Sequence, residues 1–239
     1  MLRTTRVLYD GPSKIDGKPI VVVASCINVK SENAKTGDVI QTHILVKDEH
    51  PGVARKKGLD VSVCGNCPGR KHGKDRDCYV ILCGESAAWV KQKAGEAPQI
   101  LRDEWKLFAN KPVRLGTYGN PSAMPFKLAM KIAKSGLAHL GYDFRWRTIH
   151  KSWSKIVMAS VRSLKEKEEA KAKGFRTFRQ LSPNEKVLPG ELLCPASKEA
   201  KTHGKIQCAD CLLCCGTWLR GKLAKLDPAK IKDIAIYKH

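Results

Sequence analysis

The residues with the most chemical potential in this chain are its cysteines, of which there are ten. Near the C-terminus stand Cys194-Pro195 and then, after thirteen residues counted from Cys194, the run Cys208-Ala209-Asp210-Cys211-Leu212-Leu213-Cys214-Cys215. Three thiols at intervals of three can be turned inward by a tight loop onto one metal centre. A C-x2-C-x2-C run with a remote Cys-Pro is the pattern of iron–sulfur ligation in bacterial ferredoxins, although here the remote Cys-Pro lies upstream. Zinc also accepts four thiolates, but its usual spacing is two distant C-x2-C pairs. The spacing therefore points to Cys194, Cys208, Cys211 and Cys214 as ligands of one centre, a 4Fe–4S cluster before zinc. Cys215 is the spare, because adjacent side chains in an extended segment point apart. Buried or disulfide-bonded cysteines are the structural alternative.

A second group reads Cys64-Gly65-Asn66-Cys67-Pro68, followed by Cys78 across the basic loop Gly69-Arg70-Lys71-His72-Gly73-Lys74-Asp75-Arg76-Asp77. Cys64, Cys67 and Cys78 supply three thiols. The fourth position is either closed by Cys83 or His72, which makes a structural site, or left open, which is what substrate chemistry at a metal requires.

The totals narrow the setting. A chain of 239 residues suits one large domain or two small ones, and 42% hydrophobic content is enough for a core. No apolar run has the length of a membrane span. The first residues carry no apolar stretch of signal-peptide type, so a reducing compartment is expected, where many cysteines argue for metal or catalysis over disulfides. Lys and Arg number 44 against 23 Asp and Glu, a formal charge of +21. Such a surface attracts polyanions, nucleic acid first among them. The Arg145-Trp146-Arg147 triplet suits this role, since guanidiniums grip phosphate and an indole stacks on a base. Arg70, Lys71, Lys74 and Arg76 add a basic loop. A buried tryptophan between two surface arginines is the plainer reading.

The elements that must position these groups follow from periodicity. Residues 20–29 and 39–46 are β-branched apolar runs and read as strands, joined through the turn Lys35-Thr36-Gly37-Asp38. Residues 47–60 read as a loop with a basic cluster at Arg55-Lys56-Lys57. Residues 79–83 read as a short strand, and two helices broken at Gly95 and Pro98 extend to about residue 109. Residues 112–116, 140–146, 156–160 and 175–179 read as strands, and Thr117-Tyr118-Gly119-Asn120-Pro121 as a loop. Met124, Leu128 and Ile132 mark a helix ending near Gly136. Ser163 with Glu166 three residues on opens another helix, which ends at Gly174. Asp227-Pro228 begins a short helix in a basic tail whose Ile231, Ile234 and Ile236 pack back on the body. Strand–helix–strand repeats imply parallel pairing, with ligands at the carboxyl ends of the strands. Tyr118, Asn120, Arg145, Trp146, Arg147, His150, Ser160, Arg162 and Arg179 fall there.

With both cysteine groups and the Gly-Thr-Tyr-Gly-Asn-Pro loop in view, the chain resembles a group of uncharacterised phage proteins similar in layout to the phage Gene 88-like family. The shared features are the early strand pair, Cys-x2-Cys-Pro…Cys-Tyr, the Gly-Thr-Tyr-Gly loop, a Met-Ala-Ser strand, Gly-x-Arg-Thr-Phe-Arg, and Cys-Pro-Ala-Ser…Cys-x2-Cys-x2-Cys. They span about residues 36–216. The resemblance implies the cytoplasm of an infected bacterial host but carries no settled activity. That family has Asp where this chain has Asn120, and an amide cannot act as nucleophile or general base. A cysteine cluster followed by β/α units is also similar in architecture to radical S-adenosylmethionine enzymes, whose C-x3-C-x2-C spacing Cys64, Cys67 and Cys78 do not match.

The expected fold is α/β, a parallel or mixed sheet with outer helices, an incomplete (β/α) barrel being one form of it. Residues 1–190 form the body with the cysteine loop at 64–78 embedded, and 191–239 form a cysteine-rich metal-binding segment and basic tail. The expected function is an iron–sulfur or zinc protein that binds nucleic acid, DNA before RNA, and modifies a base near Asn120 and Tyr118. A non-catalytic DNA-binding protein with structural metals, and a protein that captures an acidic host partner, are the alternatives.

Overall fold

In a computed structural model, the described residues are 5–70, 78 and 80–238. Nine strands form one open sheet: β1 (Arg6–Pro12), β2 (Pro19–Ser25), β3 (Ile40–Val46), β4 (Val113–Tyr118), β5 (His139–Asp143), β6 (Met158–Val161), β7 (Thr177–Leu181), β8 (Glu191–Leu193) and β9 (Asp233–Tyr237). The spatial order is β1-β2-β3-β4-β5-β6-β7-β9-β8. β1, β2 and β3 pair antiparallel, and from β3 onward every pairing is parallel. The fold is therefore α/β with a mixed, mostly parallel sheet that does not close.

The helices are α1 (Pro51–Lys56), α2 (Val61–Cys64), α3 (Cys83–Lys93), α4 (Phe126–Ser135), α5 (Leu164–Ala172) and α6 (Cys208–Cys211). Side chains alternate between sheet faces. Val113, Leu115, Val157, Ala159 and Val161 share a core with Ala129, Ile132 and Ala133 of α4 and Ala170 of α5. On the other face Leu140 packs with Leu212 and Cys215, and Met158, Phe178, Ile234 and Ile236 pack with Cys194 and Ala196. Over β4 to β9 one face is thus covered by α4 and α5 and the other by the cysteine-rich C-terminal segment. Among the described residues no helix is long and apolar enough to cross a membrane.

The parallel core strands lie close to where periodicity places them, and α5 is capped by Ser163, whose hydroxyl accepts from Glu166 N–H. Several elements differ from expectation. Residues 51–56 are helical, opened by Pro51 and capped by the His50 side chain, which accepts from Gly52 N–H. Cys83 begins α3 instead of ending a strand, and Tyr79 lies outside the described residues. Ile234 and Ile236 do pack on the body, but as part of β9, inserted between β7 and β8. The tail therefore contributes two strands to the main sheet. Asp227 does cap a short 3₁₀ turn at Pro228–Lys230.

Candidate metal and substrate site

The carboxyl ends of β4 to β7 converge on a cavity of about 100 Å³. Tyr118, Gly119 and Asn120 enter it from the end of β4, Tyr142 and Phe144 from β5, Ser160 and Arg162 from β6, and Gln180 from β7. Its opposite wall is the cysteine loop: Cys64, Cys67, Gly69, Arg70 and Cys78, with Asp60 beneath. The two predicted groups, thiols and Asn120 with Tyr118, therefore meet in one concave place.

Local chemistry explains how. The Gly-Thr-Tyr-Gly-Asn-Pro loop needs glycine twice. Gly116 and Gly119 have φ of 69° and 83°, in the left-handed region, and a Cβ on Gly119 would come within 2.9 Å of the Ile44 side chain. That close approach lets Asn120 N–H donate to Val63 O, joining the β4 loop to α2. The Asn120 side chain completes the joint. Its Nδ2 donates to Cys64 O at 2.6 Å and its Oδ1 accepts from Phe144 N–H at 3.1 Å. An amide serves both partners, whereas a carboxylate has no donor for the Cys64 carbonyl. Asn120 thus acts as a strap between β5 and the cysteine loop.

Burial raises the thiol of Cys64 well above its usual value, with Asp60 and the neighbouring thiols adding to it. Burial also raises Cys67, against the pull of Gly69 N–H, Arg162 and Arg70. Tyr118 is 4% exposed, and its hydroxyl has no hydrogen-bond partner among the described residues. Burial and the neighbouring thiols hold that phenol protonated. A buried hydroxyl without a partner costs roughly 1–3 kcal/mol, so a ligand that accepts from it gains accordingly.

The predicted nucleic-acid contacts are placed otherwise. Trp146 is fully buried, and its indole N–H donates to Ser160 O at 3.1 Å, so it offers no face to a base. Arg147 lies over the Trp146 ring and is paired with Glu166 and Glu169. Arg145 reaches back to the carbonyl and hydroxyl of Ser122. The triplet is a turn that locks the end of β5 to α5. Arg70 pairs with Asp60 at 2.7 Å and donates to the carbonyls of Gly65 and Gly58, clamping the cysteine loop from inside. Lys71, His72, Lys74 and Arg76 lie outside the described residues. Asp143, the acid at the end of β5, is buried and accepts from the N–H groups of Ser122 and Arg145, so it is structural. Arg179 is likewise taken up by Glu191 and Glu185. Cys83 is exposed and faces a separate depression beside His43, away from the other three thiols.

The C-terminal cysteines surround a second, much smaller cavity of about 10 Å³. Cys194, Cys208, Cys211 and Cys214 line it together with Pro195, Leu140, Leu213 and Ile234. Gln207 and Asp210 form a reciprocal cap that starts α6, and Leu212 at φ 61° ends it, turning Cys214 back. Cys208 N–H donates to Lys35 O, Gly141 N–H to Cys214 O, and Cys194 N–H to Ala235 O, which fasten the loop to the sheet. The Arg176 guanidinium holds the carbonyls of Leu213 and Cys215 and lies 3.5 Å from Cys215 Sγ, so Cys215 is turned away from the other four thiols. Burial raises the thiols of Cys208, Cys211 and Cys214, the last well above its usual value.

The donor type suits soft metals and iron–sulfur clusters, which take thiolate ligands. Among the described residues, however, no group of three or more His, Cys, Asp or Glu side chains is drawn together as the ligand shell of a metal ion. The thiols share cavities without converging. Comparison with protein families, with curated proteins and with solved structures finds no match. Spacing groups Cys78 with Cys64 and Cys67 but gives no signal for Tyr142, Phe144 or Gln180. Only the parallel register, which stacks the strand ends, brings them to one mouth.

Proposed function

We propose that the protein is an iron–sulfur enzyme that modifies a base of a polynucleotide, DNA before RNA, in the phage setting suggested by its resemblance to Gene 88-like proteins. The observation that carries this reading is the meeting of Cys64, Cys67 and Cys78 with Tyr118 and Asn120 in one cavity at the carboxyl ends of the parallel strands. Cys64, Cys67 and Cys78 would hold the reactive centre, and Cys194, Cys208, Cys211 and Cys214 a second one, with zinc the alternative metal. A cluster held by three protein thiolates leaves a position for substrate, and that is the chemistry it would supply. The chain's own part is positioning. Asn120 fixes the cysteine loop against β5. The Tyr118 hydroxyl donates to the bound molecule, and the Phe144 ring at the same cavity offers an apolar face to a base held outside its stack, the Tyr142 ring being stacked on Phe178 with Arg114 over it. Arg55 and Arg162, also at the cavity, suit an adjacent phosphate.

With Arg145 and Arg147 engaged within the protein, the +21 charge must meet the backbone elsewhere. Lys198, Lys201, Lys205, Lys222, Lys225, Lys230 and Lys232 are exposed on the C-terminal segment, against exposed Glu199, Asp210 and Asp227. This face is the proposed phosphate-binding surface.

The test begins with anaerobically purified protein assayed for iron and acid-labile sulfide. It continues with incubation with DNA or RNA under reducing conditions, followed by mass spectrometry of the digested nucleosides. Iron with sulfide, and a new nucleoside absent with Cys64→Ser, are expected. Zinc alone, or unchanged nucleosides with a fully loaded protein, overturn the reading. Binding should weaken steeply with salt, and Lys201→Ala with Lys205→Ala should lower the log–log slope by about one unit each. Arg145→Ala and Arg147→Ala should leave it unchanged.

A further inference from the structure

The antiparallel side of the sheet holds a second group of reactive side chains. Ser25 ends β2, and the next residue, Cys26, has φ 61°, so the chain turns sharply away and leaves Ser25 at a strand terminus. Ser25 Oγ lies 2.9 Å from His43 Nε2. Across the ring, His43 Nδ1 lies 3.4 Å from Glu85 Oε1. His43 and Glu85 are 2% and 3% exposed, whereas Ser25 is half-buried and lines a cavity of about 430 Å³. Serine hydroxyl, imidazole and carboxylate stand in line; Ser25 lines this cavity, and His43 and Glu85 line a second one of about 420 Å³. Burial pushes the Glu85 carboxyl up, but His43 beside it and the charge of Arg114 outweigh this and hold it below the usual range, while His43 Nδ1 itself makes no hydrogen bond among the described residues.

The surroundings fit a reaction as well as a fold. Glu85 and Gly84 belong to the first turn of the eleven-residue α3, whose leading N–H groups have no partner within the helix. A Cβ on Gly84 would meet His43 Cε1 at 3.5 Å, so the Gly84 backbone runs beside the imidazole, and Gly84 lines the same cavity as Ser25. Lys30 and Lys91 lie on the cavity wall, with Glu32 the one acid there.

We propose that Ser25, His43 and Glu85 form a nucleophilic triad that hydrolyses small acyl esters bearing a negative charge. Ser25 Oγ attacks the acyl carbon while its proton passes to His43 Nε2. The Glu85 carboxylate faces the Nδ1–H and stabilises the imidazolium. The tetrahedral oxyanion is met by the N–H of Gly84. Collapse breaks the ester C–O bond, and the leaving alcohol takes the proton from Nε2. Water, deprotonated by His43, then attacks the acyl-serine, releases the acid and restores Ser25. Lys30 and Lys91 receive the substrate's anionic group. The 3.4 Å separation of His43 and Glu85 is of the kind that tightens when a substrate is bound.

A fluorophosphonate probe applied to the full chain, followed by peptide mass spectrometry, tests this directly. Ser25 should carry the label. Ser25→Ala should abolish it, and Glu85→Gln should slow labelling about 100-fold or more. Hydrolysis of mono-p-nitrophenyl succinate should follow the same pattern, with Lys30→Ala and Lys91→Ala raising KM for that ester and not for neutral p-nitrophenyl acetate. Cys64→Ser should leave labelling intact, which separates this site from the cysteine cavity. Label absent from Ser25, or hydrolysis undiminished in Ser25→Ala, overturns the proposal. Should Glu85→Gln fail to fold, Ser25→Ala decides alone, since it removes one hydroxyl from a half-buried position.

Discussion

The two cysteine regions lie over the same sheet and differ in what surrounds their sulfurs. At the C-terminal loop four thiols line about 10 Å³ of space among leucine, isoleucine and proline, and backbone hydrogen bonds fasten the loop to β5, β9 and residues 35–36. At the strand ends three thiols line about 100 Å³, beside an unpartnered tyrosine hydroxyl and several arginines. The first leaves almost no space between its own side chains. The second has room and an unused donor. Closed sites of this kind hold a fold together, and sites with a vacancy do chemistry. On the proposed reading, the same residue type would take opposite roles according to how much polar, open space the sheet leaves beside it.

The comparison breaks most sharply under ligand removal. Cys211→Ser should lose metal and lower Tm by about 10 °C or more, because ligand binding at such a loop is part of its folding free energy. Cys64→Ser should remove roughly half or less of the bound metal and shift Tm by only about 2–4 °C, while abolishing any nucleoside modification. Metal analysis with calorimetry on the same preparations reads both. Equal losses of stability would mean that both regions are structural.

Asn120→Asp sharpens the same contrast with a smaller effect. The carboxylate cannot donate to Cys64 O and places its charge against that carbonyl, so a buried acceptor is left unsatisfied at a cost of about 2–3 kcal/mol. Urea denaturation should show this as a lower midpoint with unchanged slope. A variant as stable as the parent would show that the strap does not hold the cysteine loop, and would reopen a carboxylate role at position 120.

The limits of sequence reading differ between the two regions for the same reason. The C-terminal loop is local: Cys208, Cys211 and Cys214 share one turn and a half of chain, and spacing alone was enough to group them with Cys194. The strand-end cavity is assembled by parallel pairing, so its three cysteines were legible as one group and Tyr118 with Asn120 as one loop, and Tyr142, Phe144 and Gln180 only through register. Trp146 failed because a Trp between arginines is the same string whether it is exposed or buried. Its Nε1 finding the Ser160 carbonyl is a tertiary event. Strands β8 and β9 were missed because β8 is three residues long and the isoleucines of β9 read as packing on the body without showing that they do so as a strand. Pro51 disguised α1, since proline reads as a breaker although it is tolerated in a first turn. The Ser25, His43 and Glu85 alignment left no signal, its members being 18 and 42 residues apart on three elements.

Acid should separate the regions by the smallest margin, and in a stated direction. His139 starts β5, is 1% exposed, and packs beside Trp218 of the C-terminal segment, with ring centroids 5.6 Å apart. Burial, and then the charge of Arg220, push its pKa down to about 4 from an ordinary 6.5. The fold therefore favours the neutral ring. That stability is complete above pH 6.5 and is lost as pH falls toward 4, amounting to about 1–2 kcal/mol by pH 5. Glu191 follows at lower pH. Burial alone would raise its carboxyl, but hydrogen bonds from Arg179 and Lys167 bring it to about 2, so its contribution is complete above 4.5 and is lost between 4.5 and 2. Both groups belong to the part of the sheet that the C-terminal segment covers or completes. Hydrogen exchange between pH 7 and 5 should accordingly show residues 212–220 opening before the Cys64 loop. His139→Phe, which keeps a ring beside Trp218 and removes the titration, should flatten that dependence. Exchange that rises first at residues 60–70 would place the acid-sensitive part at the strand ends and remove His139 as the group that sets the order of opening in acid.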